Sequence, residues 1–123
     1  MSTALIIEDN PNNMMLICDI LEFNGYSIIK AETGMSGYQL AEEKLPDFII
    51  LDIQLPDING FNVLEKIRAN EKTKNIHVIA MTSYAMAGDK GKFLNAGCDG
   101  YVEKPINPVM VMEQIKQALR NKR

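Results

Sequence analysis

The segment Phe48-Ile49-Ile50-Leu51-Asp52 places four consecutive apolar residues directly before a carboxylate. A strand that is apolar at every position is typical of a parallel sheet, because helices cover both of its faces. An aspartate at the end of such a strand would be costly to leave buried without a partner. The segment therefore predicts an inner parallel strand whose carboxyl end carries a functional side chain.

Four further apolar runs predict the other strands of the same sheet. They lie at residues 4–7, 27–29, 78–81 and 101–102, and the first and third of them are apolar at every position. Amphipathic segments separate the runs, so that strand and helix alternate five times along the chain. This order predicts right-handed crossovers and an α/β fold with one doubly wound parallel sheet.

Apolar residues at helical spacing predict the helices and the sides that face the core. The expected core residues are Met14, Ile17, Cys18 and Leu21 in the first helix, Leu40 and Ala41 in the second, Phe61, Leu64 and Ile67 or Arg68 in the third, and Met112, Ile115 and Leu119 in the fifth. The second helix is expected to end before Pro46. Asn10-Pro11 and Asn107-Pro108 predict the starts of the first and fifth helices, because asparagine is a good N-cap and proline suits the first helical position.

The fourth helix has the weakest pattern. Its segment, residues 86–96, contains Gly88 and Gly91. Each glycine in a helix interior costs about 1 kcal/mol relative to alanine. We therefore expect this helix to be short, frayed or mobile.

The composition predicts one globular domain over residues 1–123, which is an ordinary domain length. The net charge of -3 argues against nucleic acid as a direct ligand, because DNA binding depends on clustered Lys and Arg. No apolar run approaches a membrane span, and no signal peptide is recognisable. We expect a cytoplasmic protein with reduced cysteines, in which Cys18 is buried, whereas the surroundings of Cys98 do not decide between burial and exposure.

Polar residues of a particular kind follow the predicted strands. Glu8-Asp9 follows the first strand, Asp52 ends the third, Thr82-Ser83 ends the fourth, and Glu103-Lys104-Pro105 follows the fifth. In a doubly wound sheet, ligands bind outside the carboxyl ends of the strands, where these residues should meet. Clustered carboxylates repel one another, and a hard cation such as Mg²⁺ with oxygen ligands relieves that repulsion.

The same cluster has the composition of a phosphoryl-acceptor site. One carboxylate can act as a nucleophile while the metal neutralises phosphoryl oxygens, and a lysine and a threonine remain to hold the other oxygens. The acids and the lysine should face each other across a shallow cup that leaves Asp52 open to solvent.

On these residues the whole chain resembles a receiver domain of two-component response regulators, similar to stand-alone members of the chemotaxis and cell-division type. The matching residues, in order, are Glu8, Asp9, Ile50-Leu51-Asp52-Ile53-Gln54-Leu55-Pro56, Gly60, Thr82, Ala96-Gly97 and Lys104-Pro105. The resemblance implies a flavodoxin-like fold with five βα units and strand order 2-1-3-4-5. It also implies a signalling domain that catalyses only its own phosphorylation and dephosphorylation, rather than an enzyme.

The resemblance implies a role for each acid. Asp52 is the expected phosphoacceptor. Asp9 and Asp52 would bind Mg²⁺ directly, Gln54 would offer the metal its backbone carbonyl, and Glu8 would act through a metal-bound water.

The resemblance likewise implies roles for the residues of the fourth and fifth strands. Thr82 and Lys104 would hold phosphoryl oxygens, and the Lys104–Pro105 bond would be cis. Thr82 and Tyr101 would form the switch, in which Tyr101 is the aromatic side chain that rotates, and the signal would leave by the face of the fourth helix, fifth strand and fifth helix.

Three positions modulate dephosphorylation in this family, namely Gln54, Ser83 and Tyr84 here. Ser83 stands where the family usually has alanine, so its hydroxyl is expected to alter the order of water near the phosphoryl group. Our hypothesis is that the bulky Tyr84 shields the phosphoryl group and lengthens its lifetime.

The resemblance also implies partners. The donor would be a sensor histidine kinase or a histidine phosphotransfer protein, docking at the first helix near Asn13 and either Met14 or Met15. The target would be a downstream protein, with no direct contact to nucleic acid or membrane, and the chain is expected to be a monomer or weak dimer. The sequence leaves open whether residue 123 is the natural end or whether an output domain follows.

Three rival functions fit less of the sequence. A haloacid-dehalogenase type of phosphatase needs a second acid two residues after the nucleophile, where this chain has Gln54. A flavodoxin-like cofactor carrier needs a loop rich in Ser, Thr and Gly after the first strand, where Glu8-Asp9-Asn10-Pro11 would repel phosphate. A receiver-like domain that is never phosphorylated would have no need of the complete set of acids, threonine and lysine.

Overall fold

The computed structural model describes residues 2–83 and 89–121. Strands and helices alternate along this part of the chain. The strands are β1 (Thr3–Ile7), β2 (Ser27–Ala31), β3 (Phe48–Asp52), β4 (His77–Thr82) and β5 (Gly100–Glu103). The helices are α1 (Pro11–Phe23), α2 (Gly34–Lys44), α3 (Gly60–Ala69), α4 (Asp89–Asn95) and α5 (Val111–Arg120).

The five strands form one parallel sheet in the order β2-β1-β3-β4-β5. Strand β3 lies at its centre, where Ile49 aligns with Leu5 of β1 and with Val78 of β4. All five residues of β3 are buried. The fold class and strand order predicted from the sequence are therefore confirmed.

The central strand contributes to two cores, because successive side chains of a strand point to opposite faces. Phe48 and Ile50 pack with the core residues of α1 and α5 on one face. Ile49 and Leu51 pack with those of α2 and α3 on the other face. This two-sided burial explains why the strand is apolar at every position.

Helix α1 begins and packs as its sequence predicts. The Asn10 side-chain oxygen accepts hydrogen bonds from the backbone N–H groups of Asn12 and Asn13, and Pro11 is the first helical residue. All four predicted core positions of this helix are buried: Met14, Ile17, Cys18 and Leu21.

Helix α5 begins later than its sequence predicts. The Asn107 side chain accepts a hydrogen bond from the backbone N–H of Val109, and its carbonyl accepts from Met110 and Val111. These bonds close a turn, and the helix starts only at Val111. The prediction that Pro108 is the first helical residue is therefore wrong.

The core-facing sides of two later helices also differ in detail. In α3 the buried residues include Val63 as well as the expected Leu64 and Ile67, while the expected Phe61 is half-buried. Arg68 is not a core residue, since its guanidinium donates to the carbonyl oxygens of Gly97, Lys74 and Ile76. In α5 the buried residues are Val111, Ile115 and Ala118, while the expected Met112 and Leu119 are half-buried.

Helix α2 ends where its sequence predicts, and α4 is described over Asp89–Asn95, within the predicted segment 86–96. Helix α2 ends at Lys44, before Pro46, and Ala41 is buried while Leu40 is half-buried. Helix α4 is short, with seven residues. Gly88 and the other residues before Asp89 in the predicted segment lie outside the described residues.

Both cysteines are buried as thiols, Cys18 against one face of the sheet and Cys98 against the other. Within residues 2–83 and 89–121, no helix combines the length and apolar character that a membrane span requires.

Candidate functional site

The sheet brings the four predicted site segments to one edge. Glu8 follows β1, Asp52 is the last residue of β3, Thr82 is the last residue of β4, and Lys104 follows β5. The strands β1, β3, β4 and β5 are consecutive neighbours in the sheet. Since all are parallel, their carboxyl ends lie side by side, and residues far apart in the sequence become neighbours.

Three acids form the centre of this edge. Carboxylate oxygens of Glu8, Asp9 and Asp52 lie within 4.8 Å of one another. Glu8 and Asp52 are buried, whereas Asp9 is exposed. The cluster is thus open to solvent on the side of Asp9.

Lys104 lies between the two buried acids. Its Nζ is 2.9 Å from Glu8 Oε1 and 3.1 Å from Asp52 Oδ2. The Lys104 backbone N–H donates to the Thr82 carbonyl oxygen at 2.8 Å, and the Lys104–Pro105 bond is cis. The lysine is therefore fixed to the end of β4 by its backbone while its ammonium reaches across to β1 and β3.

The burial and crowding of these groups shift two pKa values. Burial raises the pKa of Glu8, and the neighbouring Asp52 raises it further, although Lys104 and the backbone of Asn10 act in the opposite direction. Burial by itself lowers the pKa of Lys104, but its hydrogen bonds to Glu8 and Asp52, together with their charges, raise it overall. Glu8 thus holds a proton more readily than an ordinary glutamate, and the ammonium of Lys104 is held more firmly.

Both oxygens of Asp52 have partners. Oδ1 accepts a hydrogen bond from the backbone N–H of Gln54 at 3.0 Å, and Oδ2 faces Lys104. Only 2% of the Asp52 surface is exposed. The expectation of a cup that leaves Asp52 open to solvent is therefore wrong for this conformation, in which the Lys104 ammonium lies 3.1 Å from Oδ2.

The donor set suits a hard divalent cation. All three acids offer oxygen, the ligand that Mg²⁺ prefers. The buried Glu8 Oε1 lies 2.9 Å from the Lys104 ammonium, which this carboxylate shares with Asp52. A buried carboxylate oxygen in this condition favours additional positive charge nearby. The carboxylates of Asp9 and Asp52, together with that of the buried Glu8, could hold such an ion.

The remaining predicted residues surround this centre. Thr82 is buried. The Ser83 hydroxyl lies 3.5 Å from the side-chain oxygen of Gln54, so the side chains of Ser83 and Gln54 connect the loops after β4 and β3. Tyr101 is half-buried and packs against the core on the α2 and α3 side of the sheet. Tyr84 lies outside the described residues.

The structure also shows which apolar side chains of α1 are exposed. Met14 is buried, whereas Met15 is 62% exposed. Of the two methionines that the sequence left open, Met15 is therefore the one available to a partner. Phe23, at the end of the same helix, is 92% exposed.

Two residues that follow Asp52, one in the loop and one at the start of α3, make contacts that the sequence did not indicate. The position of Gly60 leaves no space for a side chain, because a Cβ there would lie 2.5 Å from the Ile53 Cα and 2.7 Å from the Asp52 carbonyl oxygen. Asp57 was not predicted as a site residue, yet its carboxylate accepts hydrogen bonds from two backbone N–H groups of α2. An aspartate after a proline signals a turn, but no local pattern identifies a partner that is 23 residues away.

Comparison with known proteins gives relatives over nearly the whole chain. Residues 4–116 match the family of the response regulator receiver domain. The polar-differentiation response regulator DivK of Brucella ovis is 39% identical over 117 residues, which is 95% of this chain and 95% of that protein.

Two solved structures are similar in both sequence and fold. The receiver domain of a sensor histidine kinase from Pseudomonas aeruginosa, which has a magnesium ion coordinated in its active site cleft, is 29% identical with a TM-score of 0.87 over 98% of each chain. A CheY-like receiver domain protein from Methanospirillum hungatei is 34% identical with a TM-score of 0.85, over 97% of this chain and 94% of that one.

Proposed function

Since this chain belongs to the family of response regulator receiver domains, we propose that it accepts a phosphoryl group on Asp52, with Mg²⁺, from a phosphohistidine donor. The family inferred from the sequence motifs is confirmed by these relatives. The observation that carries the proposal is the convergence of Glu8, Asp9 and Asp52 with the Lys104 ammonium 3.1 Å from the Asp52 oxygen.

In the proposed reaction an Asp52 carboxylate oxygen forms a bond to phosphorus while the bond from phosphorus to the donor imidazole nitrogen breaks. Asp9, Asp52 and the Gln54 backbone carbonyl would hold Mg²⁺, with Glu8 acting through a bound water. Bound there, the ion supplies charge neutralisation for the phosphoryl oxygens. Lys104 already faces Asp52 Oδ2, so its ammonium is placed to pair with an incoming oxygen. Thr82, at the end of the adjacent strand, supplies a hydroxyl for another.

Phosphorylation would change the charge at Asp52 and, through it, the conformation of the face formed by α4, β5 and α5. The phosphoryl group adds about two negative charges and three acceptor oxygens at Asp52. In our proposal Thr82 moves toward the new oxygen, and Tyr101 enters the space that it leaves. The signal then reaches the face of α4, β5 and α5 and a downstream protein target. A complete switch from about 1:99 to 99:1 would need about 5.5 kcal/mol of differential stabilisation.

Three side chains near the site would set the lifetime of the phosphorylated state. The contact between Ser83 and Gln54 supports a role for both, because it lies across the loops that border Asp52. The shielding role of Tyr84 rests on the family resemblance alone.

The donor would be a sensor histidine kinase or a histidine phosphotransfer protein that docks beside the acids. Exposed apolar side chains near the start of α1 and before α5 support this surface, namely Met15, Val109 and Met110. We further propose that residues 1–123 act as one receiver domain, as a monomer or weak dimer, in the cytoplasm, where buried thiols such as Cys18 remain reduced.

Intact mass spectrometry after incubation with acetyl phosphate and Mg²⁺ tests the proposal. The wild type should gain the mass of one phosphoryl group, and Asp52→Asn should gain none. Asp47→Asn is a matched control, because Asp47 accepts a hydrogen bond from the Thr3 backbone N–H at the opposite edge of the sheet. A gain of mass by both the wild type and Asp52→Asn would remove Asp52 from the proposed role.

A further inference from the structure

The loop between β3 and α3, residues 53–59, is closed onto the site at both of its ends. The backbone N–H of Gln54 donates to Asp52 Oδ1 at 3.0 Å. At the other end, the backbone N–H of Gly60 donates to the Ile53 carbonyl oxygen at 2.9 Å. The backbone of Gln54, which carries the carbonyl proposed for the metal, therefore lies in a short closed loop.

The middle of this loop is attached to α2 by Asp57. Its two carboxylate oxygens accept hydrogen bonds from the backbone N–H groups of Gly34 at 2.7 Å and Met35 at 2.9 Å. These groups belong to the first turn of α2, where backbone donors have no partner within the helix. The side-chain oxygen of Thr33, the N-cap of α2, accepts a hydrogen bond from the backbone N–H of Ser36. Asp57 thus completes the cap of a helix to which it does not belong.

The charge of Asp57 suits this place. The hydrogen bonds from the Met35 and Gly34 backbones hold the pKa of Asp57 below its usual range. A negative charge is also favoured by the partial positive charge at a helix N-terminus. The contact therefore persists over the whole neutral pH range.

Close packing reinforces the attachment. A Cβ at Gly34 would lie 2.8 Å from Ile58 Cγ1 and 2.8 Å from Val63 Cγ2. Only a residue without a side chain lets the start of α2 approach the loop and α3 this closely. The loop therefore cannot shift outward without losing both the hydrogen bonds and this contact.

We propose that Asp57 is a positioning residue that fixes the loop after β3 against the N-terminus of α2 and so holds the Gln54 backbone in place for the metal. This inference rests on the proposed function, in which the loop contributes a ligand to Mg²⁺. It assigns to α2 a part in the site, although no α2 side chain belongs to the acidic cluster.

The direct test is the Mg²⁺ dissociation constant, measured by calorimetry on the wild type, Asp57→Asn and Asp47→Asn. Asp57→Asn should raise the constant about fivefold, less than the loss of a partner bonded directly to a ligand, because Asp57 acts through the loop. Asp57→Ala, which removes both acceptor oxygens, should raise the constant further than Asp57→Asn, which retains one. Asp47→Asn removes a similar carboxylate cap at the far edge of the sheet and should leave the constant unchanged.

The outcomes separate this inference from the proposed function. If the wild type does not bind Mg²⁺, the proposed function fails. If the wild type binds Mg²⁺ and folded Asp57→Asn binds it equally well, only the positioning role fails. An equal loss of affinity in Asp47→Asn would also overturn the positioning role, because the effect would then reflect general stability.

A second measurement needs no substitution. In an amide NMR titration of the wild type with Mg²⁺, the resonances of Gly34 and Met35 should shift in step with that of Gln54. The Thr3 amide, bonded to Asp47, should stay unchanged. Gly34 and Met35 resonances that stay fixed while Gln54 shifts would contradict the coupling, even if the Asp57 variants do not fold.

Discussion

Lys104 shows how the site depends on a single residue. Its side chain is 15% exposed, and its ammonium lies against two carboxylates that are buried almost completely. Taking one partner away from a buried ionic group leaves an uncompensated charge, which costs more than the pair itself contributes. Lys104 therefore stabilises the fold as well as being placed for chemistry.

Lys104→Met should reduce the free energy of unfolding by about 2–4 kcal/mol. The pKa of Glu8, already raised by burial and by Asp52, should rise further. The folded state then binds a proton that the unfolded chain releases at its ordinary pKa, so stability falls as pH rises from about 4.5 through the raised value. Urea unfolding from pH 5 to pH 8 should show a larger loss at pH 8.

Lys116→Met provides the control for this substitution, because Lys116 is exposed on α5 and its replacement also removes one positive charge. It should change stability by less than about 0.5 kcal/mol at either pH. A similar loss of stability in both variants would show that the buried carboxylates of Glu8 and Asp52 do not depend on the Lys104 ammonium.

At the scale of elements, two glycines have opposite reasons to be present. Gly60 opens α3 where a side chain would collide with the backbone of β3 and its loop. Gly91 lies in the short helix α4, and a Cβ there would meet no described atom within 4 Å. The first glycine is required by packing, whereas the second only makes its helix less stable.

Gly91→Ala should therefore stabilise the protein by about 0.5–1 kcal/mol. Hydrogen exchange of the α4 amides should slow about two- to fivefold, and amides of the buried strand β3, which exchange on global unfolding, should slow by a similar factor. In contrast, Gly60→Ala should destabilise the protein by about 2–3 kcal/mol, since the collision involves backbone atoms that cannot rotate away. A destabilised Gly91→Ala would indicate that α4 needs the glycine for a conformation that alanine resists.

At the scale of the molecule, the sheet order assembles the site. Four neighbouring parallel strands deliver Glu8, Asp52, Thr82 and Lys104 to one edge, and three carboxylates meet one ammonium there. A ligand that binds this edge connects β1 with β3, so its binding energy adds to the stability of the whole fold.

Magnesium should therefore raise the free energy of unfolding of the wild type, by about 2.7 kcal/mol at a concentration one hundred times its dissociation constant. In Asp52→Asn the gain should fall below about 1 kcal/mol, because the central carboxylate is lost. Thermal unfolding with Mg²⁺, with a matched concentration of sodium chloride as the ionic control, measures both values. Equal stabilisation by sodium chloride would show that the stabilisation comes from general screening of charge and not from Mg²⁺ binding at this site.

Much of the fold could be predicted because its causes are local. The continuous apolar run of β3 indicates a strand that is covered on both faces, and the 3.6-residue period of the α1 stripe indicates which side of the helix is covered. The start of α1 followed from Asn10 and Pro11, but the same pair of residue types before α5 formed a turn instead. Asn107 accepts hydrogen bonds from the backbone N–H groups two and four residues on, as Asn10 does, yet the regular helix begins only at Val111.

The sequence alone determined the alternation of strands and helices and the residue types at the strand ends, because both depend on neighbours along the chain. The tertiary structure decided that Asp52 is covered by Lys104, that Met15 rather than Met14 faces outward, and that Asp57 caps α2. These facts depend on distances between segments that are remote in the sequence. Only the packing of the sheet and its helices fixes such distances.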